Sequence, residues 1–349
     1  MLMVIFGAGA SYDSAASLAA PPTLTFERDY PDRPPLASEL FHPQRNFATI
    51  ARNYPALLEM IDRLRNLKDE PIEARLQSLQ NERFTWPRRY QQLMSVRFYL
   101  CDVLSNCVSE WLNRANLATN YGHLLDDIGN WNARRGARQD VCLVTFNYDI
   151  LLECALGVAG CKFETKTMDD YVGSSVFKVF KLHGSVNWKQ VAKLYSAPPN
   201  GVTRTEIIEK AARLESEMTE DFMIEDSASH YQGRWLVPAI AIPVQDKSGV
   251  FACPKNHLTY LESLIPETTE LLVIGWRGKE QHFTSMLRKN LKRLRTIMVV
   301  DANSGGAGAI ANELAAELGP ATEGMSIRVG QWGFSHFIRS KESKEFFAL

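Results

Sequence analysis

Apolar residues in this chain collect into short unbroken runs closed by small or polar residues: Met3-Val-Ile-Phe6, Val141-Cys-Leu-Val-Thr-Phe146, Leu271-Leu-Val-Ile274 and Thr296 to Val300. Runs of this length without alternation predict strands buried on both faces, the habit of a parallel sheet. Between them the period changes to three or four. Leu93, Val96, Leu100, Cys107 and Trp111 share one helical face, and Leu124, Leu125 and Ile128 share another within Tyr121 to Trp131. Further helices are predicted over Tyr148 to Leu156, Glu280 to Leu294 and Ala307 to Leu318.

This alternation predicts an α/β fold, a Rossmann-like parallel sheet with helices on both faces, in a single domain over residues 1–349. Two segments interrupt it. Residues 47–131 read as a helical insertion, whose Trp86, Tyr90, Phe98 and Tyr99 are candidates for exposed anchors as well as for core. Residues from about 186 to 250 read as a small subdomain: a short strand through Val186 and Trp188, a charged helix from Thr205 to Glu220, the apolar run Trp235 to Pro243, and a turn at Asp246-Lys-Ser-Gly249. Pro21-Pro22 and Tyr30-Pro-Asp-Arg-Pro-Pro-Leu36 are too proline-rich for helix or strand and predict a loop.

Composition narrows the function without naming it. With 39 basic and 40 acidic residues the formal charge is −1, so no general attraction to nucleic acid or anionic lipid is expected. Lys289 to Arg295 is basic, but its interleaved leucines read first as an amphipathic helix. The six cysteines form no C-x-x-C pair, so neither a disulfide framework nor a zinc site is expected. No segment approaches the roughly 20 apolar residues of a membrane span, and the cytoplasm is the expected location.

Polar residues stand at the ends of the predicted strands, where open α/β sheets bind ligands. Asn147 follows the second run, and His183 closes Phe180-Lys-Leu-His183-Gly184-Ser185. Gly7-Ala8-Gly9-Ala10-Ser11 follows the first run and offers a phosphate cradle, because glycines let backbone amides approach a pyrophosphate and a helix beginning at Ser11 adds its dipole. A nucleotide site is expected. The third glycine of the dinucleotide fingerprint is replaced by Tyr12, and no second strand ends in an acidic residue about 20 positions on, which disfavours a hydride-transferring dehydrogenase. Asp149 suits either a ribose hydroxyl or the cap of the following helix, and Glu280 and His282 suit a helix start. Taken alone, His183 would read as a structural histidine beside a glycine turn; no H-E-x-x-H or G-x-S-x-G motif competes with it.

Five blocks, in order, resemble the sirtuin-like domain, particularly the bacterial branch that hydrolyses NAD in antiphage defence: Gly7 to Ser11, Thr145 to Asp149, Leu182 to Gly184, Leu271 to Gly278 and Val299 to Asn303. The resemblance implies that Asn147 orients water and ribose while His183 acts as the base. It implies a cofactor-binding set of Gly7, Ala8, Gly9, Ser11, Thr145, Asp149, Gly275 and Arg277, with Asp301 and Asn303 at the adenosine ribose. Arg277 stands where many members carry serine, and Asn303-Ser-Gly-Gly also reads as an ordinary helix-entry loop. Pro34-Pro35-Leu36 with Glu39-Leu40-Phe41 resembles the far end of the family's cofactor-binding loop. NAD is then a substrate, no zinc is expected, and the implied activity is release of nicotinamide and ADP-ribose. NAD-dependent protein deacylation and a non-catalytic NAD or ADP-ribose sensor are the alternatives. Since no sensor domain is left over, the implied partners are further copies of the chain or a separate sensor such as a HerA-type ATPase or an Argonaute-like protein, with no direct nucleic acid and no membrane.

Overall fold

The apolar runs become buried strands in the computed structural model, which describes residues 1–15, 32–42, 47–65, 70–135, 140–161, 163–173, 176–194, 201–225, 230–244, 251–302 and 304–348. In chain order the strands are β1 (Leu2–Phe6), β2 (Val141–Thr145), β3 (Phe177–Lys181), β4 (Gly184–Ala192), β5 (Met218–Ile224), β6 (His230–Tyr231), β7 (Arg234–Ile240), β8 (Glu270–Ile274), β9 (Thr296–Val300) and β10 (Ser326–Gly330). Six of them form one sheet in the order β10-β9-β8-β1-β2-β3, every pair parallel. The chain leaves β1 toward one edge, returns, and builds the other half from β8 outward, so its direction of winding reverses between β1 and β8.

Helices cover both faces, as parallel strands require. The helix Asn120–Arg134 packs with Leu151–Val158, Gly333–Arg339 and Glu342–Phe347, while Gln281–Asn290 packs with Ser304–Leu318, which lies on β9 and β10. A second sheet, order β5-β4-β7-β6, is antiparallel; β4 and β7 pack on the helix Arg88–Arg114, on which Phe47–Ala51, Pro55–Arg65 and Ile72–Glu82 pack in turn. These elements share one apolar cluster, which holds Trp235, Val237 and Ile240 of β7 together with Tyr54, Leu57 and Leu76. Asn120–Arg134 belongs instead to the main core through Tyr121, Leu124, Ile128 and Trp131.

Several expected boundaries move. The first helix is Ala8–Tyr12, so it opens before Ser11, because Gly7 is already extended at the cap position. The helix expected from Tyr148 begins at Leu151, whose N–H is taken by Asp149 Oδ1 at 3.0 Å. The charged stretch from Thr205 breaks into Arg204–Glu209 and Ala211–Ser216 and then turns into β5, whose polar, part-exposed side chains hid its strand character. β9 is not the last strand: β10 follows as an edge strand with Ile327 and Val329 exposed, and so carries no buried run. Phe98 and Tyr99 are core, Tyr99 giving its hydroxyl to Leu40 O at 2.6 Å, whereas Trp86 is 62% exposed. Pro21-Pro22, the Asp246 to Gly249 turn and Asn303 lie outside the described residues. Among the described residues no helix is long and apolar enough to cross a membrane.

The two halves of the main sheet meet backbone to backbone. Gly7 N–H donates to Ile274 O at 3.0 Å, and Gly9 N–H to Gly275 O at 3.2 Å. A Cβ on Gly7 would stand 2.4 Å from Gly275 O, and one on Gly275, which sits at φ +61°, 2.3 Å from Ala10 N. Neither neighbour is a side chain that can swing away. Gly275→Ala is therefore expected to lower stability by at least about 3 kcal/mol in urea denaturation. Gly129→Ala, on an exposed helical position with nothing within 4 Å of the new Cβ, is expected to raise it by about 0.5–1 kcal/mol. Equal effects at the two sites would contradict the contact.

Candidate active site

The carboxyl ends of β1, β2, β3, β8 and β9 open into one cavity of about 690 Å³, a size typical of small-molecule and cofactor sites. The residues singled out from sequence gather here from well-separated stretches. Gly7, Ala8, Gly9 and Ser11 line it after β1, Asn147 and Asp149 after β2, and His183 after β3; Gly275 and Arg277 line it after β8, and Asp301 after β9. Thr145 does not reach the cavity: it is buried beneath it, and its Oγ1 accepts the Asn147 N–H at 3.0 Å. Pro34 to Ser38, Leu40 and Ile72 close the opposite wall.

Asn147 is fixed by its amide nitrogen. Nδ2 lies 2.9 Å from Gly7 O, 2.9 Å from Ser11 Oγ and 3.2 Å from Tyr121 Oη. With two N–H groups among three acceptors, the amide cannot turn over without placing oxygen against the Gly7 carbonyl, so Oδ1 is the atom left for the cavity. Ser11 Oγ and Tyr121 Oη are themselves 3.0 Å apart. The tyrosine hydroxyl keeps its proton, because burial pushes its pKa well above the ordinary value. Ser11, expected at the phosphates, thus has its hydroxyl on Asn147 and Tyr121.

His183 sits where the chain leaves the large sheet for the small one. Gly184 follows at φ +81°, and a Cβ there would lie 1.9 Å from Ala239 O, so only glycine permits this crossing. The imidazole stands edge-on to Phe146 at 4.9 Å between centroids and face-on to Tyr148 at 6.1 Å. Trp276 stacks on Phe146 at 5.3 Å and 7°. The cavity therefore has an aromatic wall that the sequence reading did not single out. Phe146 and Tyr148 flank Asn147 directly, and Trp276 follows Gly275, so the signal was adjacency to the motif glycines and asparagine.

The acidic residues divide by role. Asp149 lines the cavity, and its Oδ1 accepts the Leu151 N–H at the start of the following helix, the second of the two uses expected of it. Glu280, expected to favour the start of the helix Gln281–Asn290, makes no side-chain cap and instead accepts the Trp276 indole N–H at 2.5 Å. His282 is exposed, with Phe251 edge-on at 6.3 Å. Arg277 is exposed at the rim. The six cysteines are free thiols, and burial raises Cys154, on the helix Leu151–Val158, to about 11, so it keeps its proton at neutral pH. Among the described residues no group of three His, Cys, Asp or Glu side chains is placed to hold a metal ion.

No family model matches the chain, and no curated protein matches it. Solved Sir2 structures are similar to it over nearly their whole length. A Sir2 bound to a propionylated peptide is 13% identical, covering 99% of this chain and 94% of that one, with a TM-score of 0.40. A Sir2 with a deacetylated peptide and an acetyl-ADP-ribose is 12% identical over 99% and 94% at 0.37, and one described for the mechanism and regulation of Sir2 enzymes is 12% identical over 99% and 91% at 0.36.

Because Ser11, Tyr121 and Asn147 share one buried knot, Tyr121→Phe and Ser11→Ala are each expected to lose about 0.5–1.5 kcal/mol of stability. The double variant is expected to deviate from their sum by about 0.5 kcal/mol or more. Strict additivity in urea denaturation would mean the hydroxyls do not meet at Asn147.

Proposed function

We propose that this chain is a sirtuin-like enzyme that hydrolyses NAD between nicotinamide and ribose, releasing nicotinamide and ADP-ribose. The observation that carries the reading is convergence: motif residues from five separate blocks, resembling that family in order, line one cavity with Asn147 and His183 on neighbouring strand ends. NAD brings a scissile glycosidic bond whose cleavage develops positive charge on the ribose. Asn147 offers Oδ1, held in place by its own amide nitrogen, to orient water or a ribose hydroxyl. His183 takes the proton that the attacking water must lose, a task suited to imidazole near neutral pH. In balance, water oxygen bonds to the ribose carbon, nicotinamide leaves with the bonding pair, and one proton is released. Ala8, Gly9, Arg277 and Asp301 line the same cavity and are assigned, on the resemblance, to the pyrophosphate and the adenosine ribose.

Incubation with NAD followed by mass spectrometry of the products tests this. His183→Ala and Asn147→Ala are each expected to lose nicotinamide release by about 100-fold or more. Asn147→Ala should also lose about 1–3 kcal/mol of stability, because it removes the buried amide that donates to Gly7 O and Ser11 Oγ. Turnover near wild type in both variants would remove the proposed pair. Adding an acetylated peptide separates the alternatives: O-acetyl-ADP-ribose would mark a deacylase, ADP-ribose a hydrolase, and ligand binding without turnover a sensor.

The physiological reading follows from the same resemblance: a cytoplasmic effector of antiphage defence that depletes NAD. Such an enzyme needs restraint, and assembly supplies it, either with further copies or with a sensor such as a HerA-type ATPase or an Argonaute-like protein. Phe84 and Trp86, 75% and 62% exposed in the turn before the helix Arg88–Arg114, are the most exposed aromatic residues among the described ones and are assigned as its anchors. Phe84→Ser with Trp86→Ser is expected to shift the assembly seen by light scattering and, with it, the rate of NAD consumption. A monodisperse wild-type monomer with full turnover and no response to either partner would sink the assembly reading.

A further inference from the structure

We infer that Lys181 is a positioning residue, whose buried ammonium group ties the Asn147 segment to the His183 segment and so sets the two side chains against each other. The inference rests on the hydrolase reading above and extends it to a residue that does not touch the cavity.

The ladder between β2 and β3 ends at the pair Thr145 and Lys181, and beyond it the two chains part into the loops that carry Asn147 and His183. Those loops are then held by donors from one segment to carbonyls of the other. Leu182 N–H donates to Thr145 O at 3.1 Å, Val186 N–H to Tyr148 O at 2.9 Å and Ser185 Oγ to Tyr148 O at 3.3 Å. A further link is Lys181 Nζ, which donates to Asp149 O across the gap the ladder no longer spans. A side chain of this length is needed, since the backbone of β3 has already turned toward the small sheet at Gly184.

Lys181 is wholly enclosed, and its charge is met by Glu153 Oε1 at 2.9 Å, on a side chain only 6% exposed. Tyr171 Oη donates to the same oxygen at 3.1 Å and is itself reached by Trp188 Nε1 at 3.1 Å. Glu153 Oε2 is buried with no hydrogen-bond partner among the described residues. As a stabilising device this is a poor bargain, because removing two charges from water cancels most of their attraction and an apolar pair of similar volume usually packs as well. What the ammonium gives that an apolar side chain cannot is a directed bond to Asp149 O, two residues beyond Asn147, from a point two residues before His183. Removing both charges together should spare the fold, and it should loosen the catalytic geometry.

The test uses the full chain with three variants: Lys181→Met, Glu153→Gln, and Lys181→Met with Glu153→Leu. Steady-state nicotinamide release from NAD and amide hydrogen exchange are measured for each. In the double variant a melting temperature close to wild type is expected, with kcat down about tenfold or more and KM changed by less than about twofold. Exchange at Val186 N–H is expected to quicken. Glu153→Gln keeps the Lys181 bond to Asp149 O and is expected to hold kcat within about threefold of wild type. A double variant that folds normally with wild-type kcat overturns the inference, and so does a Glu153→Gln variant as impaired as Lys181→Met. Should the double variant not fold, the contrast between the two single variants decides. If the wild-type chain releases no nicotinamide, the hydrolase reading fails by itself; unchanged protection of Val186 in Lys181→Met then overturns the positioning role separately.

Discussion

The contact on which the rest depends is the meeting of the turn after β1 with the turn after β8. It is made of main chain alone: Gly7 and Gly9 lie against Gly275, with amide-to-carbonyl bonds from one turn to the other. This joins the two halves of the sheet at the place where its winding reverses, and it lets five strand ends face one cavity. It also changes what the glycines are for. The sequence suggests that they make room for a pyrophosphate; the space a Cβ on Gly9 would take is filled instead by Gly275 Cα, 2.9 Å away. One glycine turn seats another, and the surface the two make together lines the cavity.

From that seat the chemistry is assembled by groups that have little freedom. Asn147 is pinned to the first turn through the Gly7 carbonyl, so the asparagine and the glycine loop move as one body. His183 is placed from the opposite direction, by the crossing into the small sheet that Gly184 alone allows, with Ala241 N–H holding the His183 carbonyl at 2.9 Å. The aromatic rings of Phe146, Tyr148 and Trp276 fill the space between, giving the imidazole an apolar setting and the cavity a flat wall.

Much of this was legible because burial leaves a signature. β1, β2, β8 and β9 are unbroken apolar runs, and each predicted strand end that carried an asparagine, histidine or glycine lies at the rim of the cavity. β10 was not legible, since an edge strand reading Ser-Ile-Arg-Val-Gly buries too little to form a pattern. The start of β5 reads as more helix, because Met218-Thr-Glu220 continues the charged segment before it. Tyr121 has no local sign at all: its hydroxyl matters because helix packing brings it to Asn147, 26 residues on. Lys181 stood inside a noted run, but a lysine in a strand reads as a solvated position until its acidic partner, on the helix Leu151–Val158, is seen beside it.

The helix Arg88–Arg114 runs 27 residues, about 40 Å, and changes core along its length: Leu93 to Cys107 belong to the cluster under the small sheet, Val108 and Trp111 to the main one. Its far end is bolted to the start of the chain, where the Trp111 indole donates to Ser14 Oγ at 2.8 Å. The two clusters are also threaded through one another in chain order, since the polypeptide passes from the first to the second and back twice. Neither can be excised as a contiguous fragment, and neither can melt without stripping half of a shared rod. A break along that rod is therefore expected to loosen both clusters at once, and Leu104, on the same helix, lines the cavity.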